Sequence, residues 1–278
     1  MTSSAATPSS AGRPDVGAHV GLRTALADAA TTGSRGVLQV FASSPRMWAP
    51  PKDVDLAPLR DAGFRVFLHA PYLINVASPD ATVRRRSAAS LAATLAVADA
   101  QGAAGVVVHG GHAGADAPDG AGFPRWEQLL ARQDGPTPLL IENTAGGSNA
   151  CARTLPQLER LYAETIPAAD PQRPVGFCFD TCHGWAGDEA LATDDGLARL
   201  LAVTGAPGLV HVNDSRDARG SGRDRHANLG AGEIPARRMN AVLRTLRDAG
   251  ADAFVVETPW PAERAGEDVA KLRRVLGR

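Results

Sequence analysis

The chain of 278 residues is 44% hydrophobic and 21% charged with a net charge of −1, enough apolar content for a large core and no excess of either sign that would mark a polybasic arm or an acidic tail. No apolar run approaches the ~18 residues needed to span a bilayer, so a membrane partner is not expected. Three cysteines, Cys151, Cys178 and Cys182, are too few and odd in number for a disulfide framework, and a cytoplasmic location is the simpler expectation.

Residues 1–16, MTSSAATPSSAGRPDV, are rich in Ser, Ala and Pro, with no apolar stretch behind a basic start. They read as a disordered N-terminal tail rather than a signal peptide, leaving 17–278 as the folded domain. From there a short apolar run, a turn and a longer Ala/Leu/Arg segment recur. The runs are Gly17–Val20, Val37–Phe41, Arg65–His69, Gly105–His109, Leu139–Glu142, Val175–Asp180, Leu209–Val212 and Ala253–Glu257. Helical stretches between them include Leu22–Ala30, Ala81–Gln101, Leu155–Glu164, Ala236–Ala249 and Glu263–Leu276. Near-continuous apolarity (GVVVH, FVVE) is the pattern of parallel strands buried on both faces. Eight such units predict an α/β fold, a single-domain (β/α)8 TIM barrel. Two loops, 110–122 and 213–232, are too long for simple connections, and long loops after strands commonly serve a site.

Side chains that bind metals cluster at the ends of these runs. His19, His69, His109, Glu142, Asp180, His211 and Glu257 each end a strand or lie beside its end, and His183, Asp224 and His226 follow in adjoining loops. In a barrel all these positions converge on the C-terminal face, where such enzymes keep their active sites. Each residue alone has a plain explanation: a hydrogen-bonded structural His, or an Asp that caps the next helix. The joint pattern argues otherwise, because six of the seven histidines, all but His112, belong to this one face. Imidazole and carboxylate donors suit Zn2+, Mn2+ or Fe2+, and ten candidates exceed what one tetrahedral ion uses, so a multinuclear site is expected. Cys182, between Asp180 and His183, reads as a small packing residue at a strand end.

The segments FLHAPYLINVASPD (67–80), VVVHGG (106–111), LLIENTAGGSN (140–149), VGFCFDTCHGWA (175–186) and HVNDSRDARGSGRDRHANLGAGEI (211–234) resemble the signatures of the endonuclease IV family, also called AP endonuclease family 2. GAHVG (17–21) and FVVETP (254–259) agree with them, and the likeness runs in order from Gly17 to Lys271. The resemblance implies a TIM barrel with three Zn2+ per chain, Mn2+ being admissible at one position. His69 and His109 would hold the first ion, with Glu142 bridging it to the second. Asp180, His211 and Glu257 would complete the second; His183, Asp224 and His226 would hold the third. His19 would support them from behind. The implied reaction is hydrolysis of the phosphodiester 5′ to an abasic site in duplex DNA, within base excision repair, together with cleaning of 3′-blocked ends. Arg46, Tyr72 and Leu73 would insert into the base stack while the abasic nucleotide flips out, and a monomer is expected.

Net charge near zero does not advertise a DNA binder, but bound divalent cations would shift the local balance. Trp48 and Trp185 read as packing residues, His112 as a loop residue, and Arg84–Arg86 as a solvated helix face, with phosphate contact as the alternative for the arginines. The loop AGGSN after Glu142 is one residue shorter than the commoner form, Ser43-Ser44 stands before Arg46 where an Asn is usual, and the first helix, LRTAL, lacks a Gly pair. These departures bear on DNA contacts and leave every metal-type residue in place. Two rivals are a divalent-metal sugar isomerase or epimerase of the xylose isomerase-like group, which would use only Glu142, Asp180, His211 and Glu257, and an inactive lesion-binding barrel.

Overall fold

The computed structural model describes residues 13–188, 191 and 193–277. Eight parallel strands form its centre: β1 (Asp15–Ala18), β2 (Val37–Phe41), β3 (Arg65–His69), β4 (Gly105–His109), β5 (Leu139–Glu142), β6 (Val175–Asp180), β7 (Leu209–His211) and, after a two-residue antiparallel ribbon β8 (Asp214–Ser215) and β9 (His226–Ala227), β10 (Ala253–Val256). They pair in the order β1-β10-β7-β6-β5-β4-β3-β2. The ring closes where His19 bridges Gln39, the Val20 N–H donating to the Gln39 carbonyl at 2.9 Å. This is the expected TIM barrel. Among the described residues no helix is long and apolar enough to cross a membrane.

The outer layer comprises α1 (Ala25–Thr32), α2 (Ala57–Asp61), α3 (Ala81–Gln101), α4 (Phe123–Leu130), α5 (Leu155–Arg160), α6 (Ile166–Ala169), α7 (Thr181–Gly187), α8 (Asp194–Thr204), α9 (Ala236–Asp248) and α10 (Ala262–Leu276). Helix α3 begins where Asp80 accepts the N–H groups of Thr82 and Val83 and stops at Gly102, whose φ of +63° only glycine adopts without strain. A single helix was expected over Leu155–Glu164; a π turn, Leu161–Thr165, instead joins α5 to α6 and carries the helical run to Ala169.

One boundary needs correction. Of the tail assigned to residues 1–16, residues 1–12 lie outside the described residues, but Asp15 and Val16 belong to β1. Asp15 donates its N–H to the Asp252 carbonyl at 2.8 Å and its carboxylate receives Arg65 Nε at 2.9 Å, so polarity here marks a strand start tied to its neighbours rather than an unfolded segment.

Inside the ring, Val37, Phe67, Val107, Leu140, Cys178, Leu209, Ala253 and Val255 form a compact apolar plug separate from the larger cluster between strands and helices. Leu140 fills it so tightly that a Cβ on Gly176 would approach its Cδ2 to 2.8 Å. Side chains along a strand alternate in direction, so the residue two places beyond each plug residue points into the same axis, one layer higher. That rule turns Val37 into Gln39, Phe67 into His69, Val107 into His109, Leu140 into Glu142, Cys178 into Asp180, Leu209 into His211 and Val255 into Glu257. The apolar plug is thus the floor of a polar chamber.

Candidate metal centre

Strand alternation brings His69, His109, Glu142, Asp180, His211 and Glu257 together, and most are fully enclosed: Glu142, Asp180 and His211 are 0% exposed. Five compact groups of donor atoms emerge among the described residues; two include a thiol (Glu142, Cys178 and His211; Asp180, Cys182 and His226), and three consist of imidazoles and carboxylates alone. His69, His109 and Glu142 form one; Glu142, Asp180, His211 and Glu257 a second; His183, Asp224 and His226 a third. Glu142 stands between groups. Its Oε2 lies 3.3 Å from both His69 Nε2 and His109 Nε2, whereas Oε1 lies 3.1 Å from His183 Nδ1 and 3.2 Å from His211 Nδ1.

Loops supply the third group. Asp180 ends β6 and caps α7, accepting the His183 N–H at 2.7 Å, which fixes His183 one turn above it. Cys182 therefore lies on the first turn of a helix, not on a strand end as expected. It is buried, and burial pushes its thiol up to about 12, as it does for Cys178. The long loop between β7 and α9 is knotted by Asp214, whose carboxylate accepts N–H groups from Gly230, Gly232 and Ile234. Buried Asp268 on α10 holds it from outside, accepting Asn228 Nδ2 and the Leu229 N–H. Held in this way, the loop presents Asp224, half-exposed, 3.2 Å from His183 Nε2 and 3.1 Å from His226 Nε2.

Hydrogen bonds select which ring nitrogen faces each group. His69 Nδ1 donates to the Ala70 carbonyl at 2.7 Å and His183 Nδ1 to the Asn143 carbonyl at 2.8 Å, so Nε2 of each faces the carboxylates. His211 is reversed: Nε2 donates to Gln39 Oε1 at 2.9 Å, and Nδ1 faces inward. Gln39 Nε2 also donates to Glu257 Oε1 at 2.6 Å, beside His19, whose Nδ1 lies 2.9 Å from the same oxygen. Asn213 Nδ2 donates to Asp180 Oδ2 at 2.6 Å, and Asn143 exchanges two bonds with the Asp180 backbone. Gln39, Asn143 and Asn213 escaped the sequence reading because they are not metal-type residues. Gln39 was detectable as the one amide in the apolar run VLQVF.

The electrostatics are those of a negative chamber in need of positive charge. Burial would raise the Asp224 carboxyl, but the imidazoles of His183 and His226, 3.2 and 3.1 Å away, outweigh it and hold it well below the usual range. Burial would lower His226, yet Asp224, Asp180 and Glu257 raise it to about 9. Despite the crowding, Glu142 Oε2, His183 Nε2 and His226 Nε2 are buried with no hydrogen-bond partner. Their spacings explain this. Two donors on one tetrahedral Zn2+ with bonds of about 2.0–2.1 Å stand about 3.3 Å apart, and the His–carboxylate separations of 3.1–3.3 Å reproduce that edge without hydrogen-bond alignment. The donor atoms converge on common points rather than on each other.

A cavity of about 280 Å3 opens onto the first and third groups, its wall including Tyr72, Asn75, His109, His112, Gly146, Gly147, His183 and Asp224. Tyr72 is 47% exposed; its ring stacks on His109 at 5.6 Å, and its N–H donates to the Pro45 carbonyl at 2.9 Å, coupling the two loops that carry Arg46 and Leu73. Arg46 is exposed and Leu73 half-buried. Trp48 and Trp185 pack against the core, as expected. His112 does not follow its expectation: it was set apart from the histidine face, yet it lies on it. Asn75 clamps its backbone through bonds of 2.9 and 3.1 Å and turns it into the cavity wall, where a Cβ on Gly147 would meet its Cβ at 2.8 Å. The loop 110–122 was too long for strand periodicity to assign it a direction.

The fold and this chamber define an α/β-barrel hydrolase of the kind that gathers carboxylates and imidazoles at its strand ends. A family model described as xylose isomerase-like TIM barrel matches residues 26–275. The chain is 43% identical over 263 residues to a probable endonuclease 4 of Mycobacterium marinum (strain ATCC BAA-535 / M), covering 94% of this chain and 98% of that protein. It superposes on the crystal structure of endonuclease IV from Thermus thermophilus with a TM-score of 0.76 and 29% identity, covering 95% and 99% of the two chains. A D-tagatose 3-epimerase-like protein matches with a TM-score of 0.72 at 19% identity, covering 95% and 97% of the two chains, and shares the fold alone. The chain belongs to the endonuclease IV family and is a nuclease.

Proposed function

We propose that this nuclease is a zinc-dependent apurinic/apyrimidinic endonuclease that hydrolyses the phosphodiester 5′ to abasic sites in duplex DNA, leaving a 3′-hydroxyl and a 5′-deoxyribose phosphate, with cleaning of 3′-blocked ends as a related activity in base excision repair. The observation that carries this reading is the third group, His183, Asp224 and His226, at metal-edge spacing beside a cavity of about 280 Å3. An epimerase of this barrel class would need only Glu142, Asp180, His211 and Glu257. The three groups made of imidazoles and carboxylates alone fit Zn2+ and tolerate Mn2+ at one position. Three ions in all would be held by the three groups, Glu142 being shared by two of them.

When bound, the ions supply Lewis acidity toward the phosphate and a nucleophile at neutral pH. The chain supplies the rest. Glu142 fixes the spacing between groups because its two oxygens face different rings. Gln39, Asn143, Asn213 and His19 set the ring tautomers and carboxylate orientations, which keeps the donors pre-aligned. The cavity, at about 280 Å3, falls below the roughly 300–1,000 Å3 of ordinary ligand pockets and suits a sugar phosphate that has lost its base. Tyr72, Leu73 and Arg46, on two coupled loops at its rim, are placed to fill the gap left in the stack.

The direct test is a duplex carrying one tetrahydrofuran abasic analogue, which also excludes lyase chemistry because it lacks the aldehyde. Zinc-replete protein is expected to nick it 5′ to the analogue, and Glu142→Ala to lose at least about a thousandfold in rate while keeping its circular dichroism. Metal analysis is expected to return about three zinc ions per chain. No nicking by zinc-replete protein would overturn the reading.

A further inference from the structure

The sequence leaves one charged run unused, Arg84–Arg86, and the fold gives part of it a partner. Arg84 and Arg85 on the first turn of α3 meet Arg125 and Arg132 from α4 and the turn after it, across a groove of about 310 Å3. Its remaining lining residues are Val76, Ala81, Ala88, Gln128, Leu129 and Gln133; no carboxylate lines it among the described residues. Glu127 and Asp134, two positions from Arg125 and Arg132, do not line it, and Asp80, four positions before Arg84, is engaged by the Thr82 and Val83 N–H groups at the helix start. In a chain with net charge −1, four arginines on two helices facing one groove are a local concentration that a solvated helix face does not require.

We propose that this groove binds backbone phosphates of duplex DNA a few nucleotides from the lesion pocket; the proposal rests on the nuclease reading and extends its substrate footprint. Two observations carry it. First, half the cationic set is pre-oriented: Arg84 Nη1 donates to the Ser78 and Pro79 carbonyls at 2.9 and 2.7 Å, and Arg125 Nη1 donates to the Ala77 carbonyl, which leaves their remaining nitrogens for an acceptor. Arg85 reaches only Thr82 Oγ1 at 3.2 Å, and Arg132 makes no side-chain bond among the described residues. Guanidinium forks held in place match phosphate oxygens in geometry as well as charge. Second, those carbonyl anchors belong to the loop that carries Tyr72 and Leu73. Val76 lies four residues beyond Tyr72, so the groove starts within about 14 Å of the cavity rim. At about 3.4 Å of rise per nucleotide, a strand leaving the cavity reaches the groove within about four nucleotides.

A second arginine-lined groove provides the control. Arg13, Arg35, Arg273 and Arg274 surround a cavity of about 530 Å3 beside Asp15, at the opposite end of the barrel where the strands begin. A duplex on the catalytic face does not reach it.

The experiment compares zinc-loaded wild type, R84S/R85S, both on the first turn of α3, and R273S/R274S in fluorescence-anisotropy binding to an undamaged duplex, from about 50 to about 200 mM salt. Removing one arginine that neutralises a phosphate is expected to make the slope of log affinity against log salt shallower by about 0.9. R84S/R85S is therefore expected to reduce the slope by about 1.8, so that its deficit against wild type shrinks about tenfold across that range. R273S/R274S is expected to match wild type, and only R84S/R85S to raise KM on the abasic-analogue duplex. Equal slopes for the two double variants would overturn the proposal, even if the wild type nicks. An arginine-dependent slope without any nicking would instead leave the groove standing and remove the abasic endonuclease reading.

Discussion

At the end of the barrel where the strands begin, Arg173 is 3% exposed, with its guanidinium spread over both oxygens of Asp99 at 2.9 and 2.7 Å, the Thr137 carbonyl at 2.7 Å and the Asp134 carbonyl. Asp99 in turn receives the Thr137 N–H at 3.0 Å. At the other end Glu142 is equally deep, but its neighbours are His69, His109, His183 and His211, and one of its oxygens has no hydrogen-bond partner. Both sites bury charge. The lower one closes on itself with a permanent cation, which arginine guarantees because it does not deprotonate. The upper one is built from imidazoles, which hold a proton only while the carboxylates raise them and yield it to a bound cation. Depth alone does not distinguish a structural ion pair from a functional one; the partner's ability to lose its charge does.

The largest expected effect comes from breaking the upper site from outside. Removing bound zinc with a strong chelator should abolish nicking and lower the melting temperature. The shift follows from about 4 kcal/mol per site when the ion exceeds its dissociation constant a thousandfold. Arg173→Met should show the same chelator shift as wild type, because the two ends are independent. A melting temperature indifferent to chelation would mean the carboxylates are satisfied without cations, and the contrast between the two ends would collapse.

Breaking the lower site should cost somewhat less. Arg173→Met leaves Asp99 without its cation, an expected loss of about 3 kcal/mol in unfolding experiments, while nicking per folded molecule at moderate temperature stays at the wild-type level. The acid limb of stability sharpens this. The Arg173 guanidinium holds the Asp99 carboxyl down at about 2, below its unfolded value of about 4. A depressed folded pKa gives stability that is present above the unfolded value and drains away as pH falls through the folded one. Wild type should therefore lose this contribution between about pH 4 and about pH 2, and Asp99→Asn should lack that part of the profile. An unchanged acid limb in Asp99→Asn would show that the pair contributes nothing to folding.

The sequence made the two ends unequally legible. The lower pair joins Asp99 near the end of α3 to Arg173 just before β6, 74 positions apart, and neither residue stands out in its own segment. The upper chamber was visible as polar residues ending apolar runs, and seven of the eight expected strands matched or came within one residue at each end. The third group was less accessible. Asp224 and His226 sit in a loop whose path is set by Asp214 and Asp268, which act through backbone N–H groups that no side-chain pattern reveals. His112 was misplaced for the same reason: Asn75, 37 residues earlier, turns it into the cavity. The start of strand DVGA was missed because its first residue is a half-buried acid serving Arg65.

Gln39 tests how far alternation can be pushed as a reading rule. It stands two residues beyond the plug residue Val37, the same step that separates Phe67 from His69 and Leu140 from Glu142, yet it has no capacity to bind zinc. Its amide does two jobs: Oε1 accepts from His211 Nε2, which commits Nδ1 to the carboxylates, and Nε2 donates to Glu257. Gln39→Met keeps the length and removes both bonds. In chelator competition one zinc of the set should then be released at a concentration about ten- to a hundredfold lower, the usual cost of deleting a partner of a metal-bound histidine, while the others leave as in wild type. The metal-free variant should melt somewhat below the metal-free wild type, since buried His211 Nε2 loses its acceptor at a cost of about 1–3 kcal/mol. Simultaneous release of all the zinc at the wild-type chelator concentration would show that His211 is oriented by packing alone, and that the inward layer above the plug divides into binding residues and bystanders.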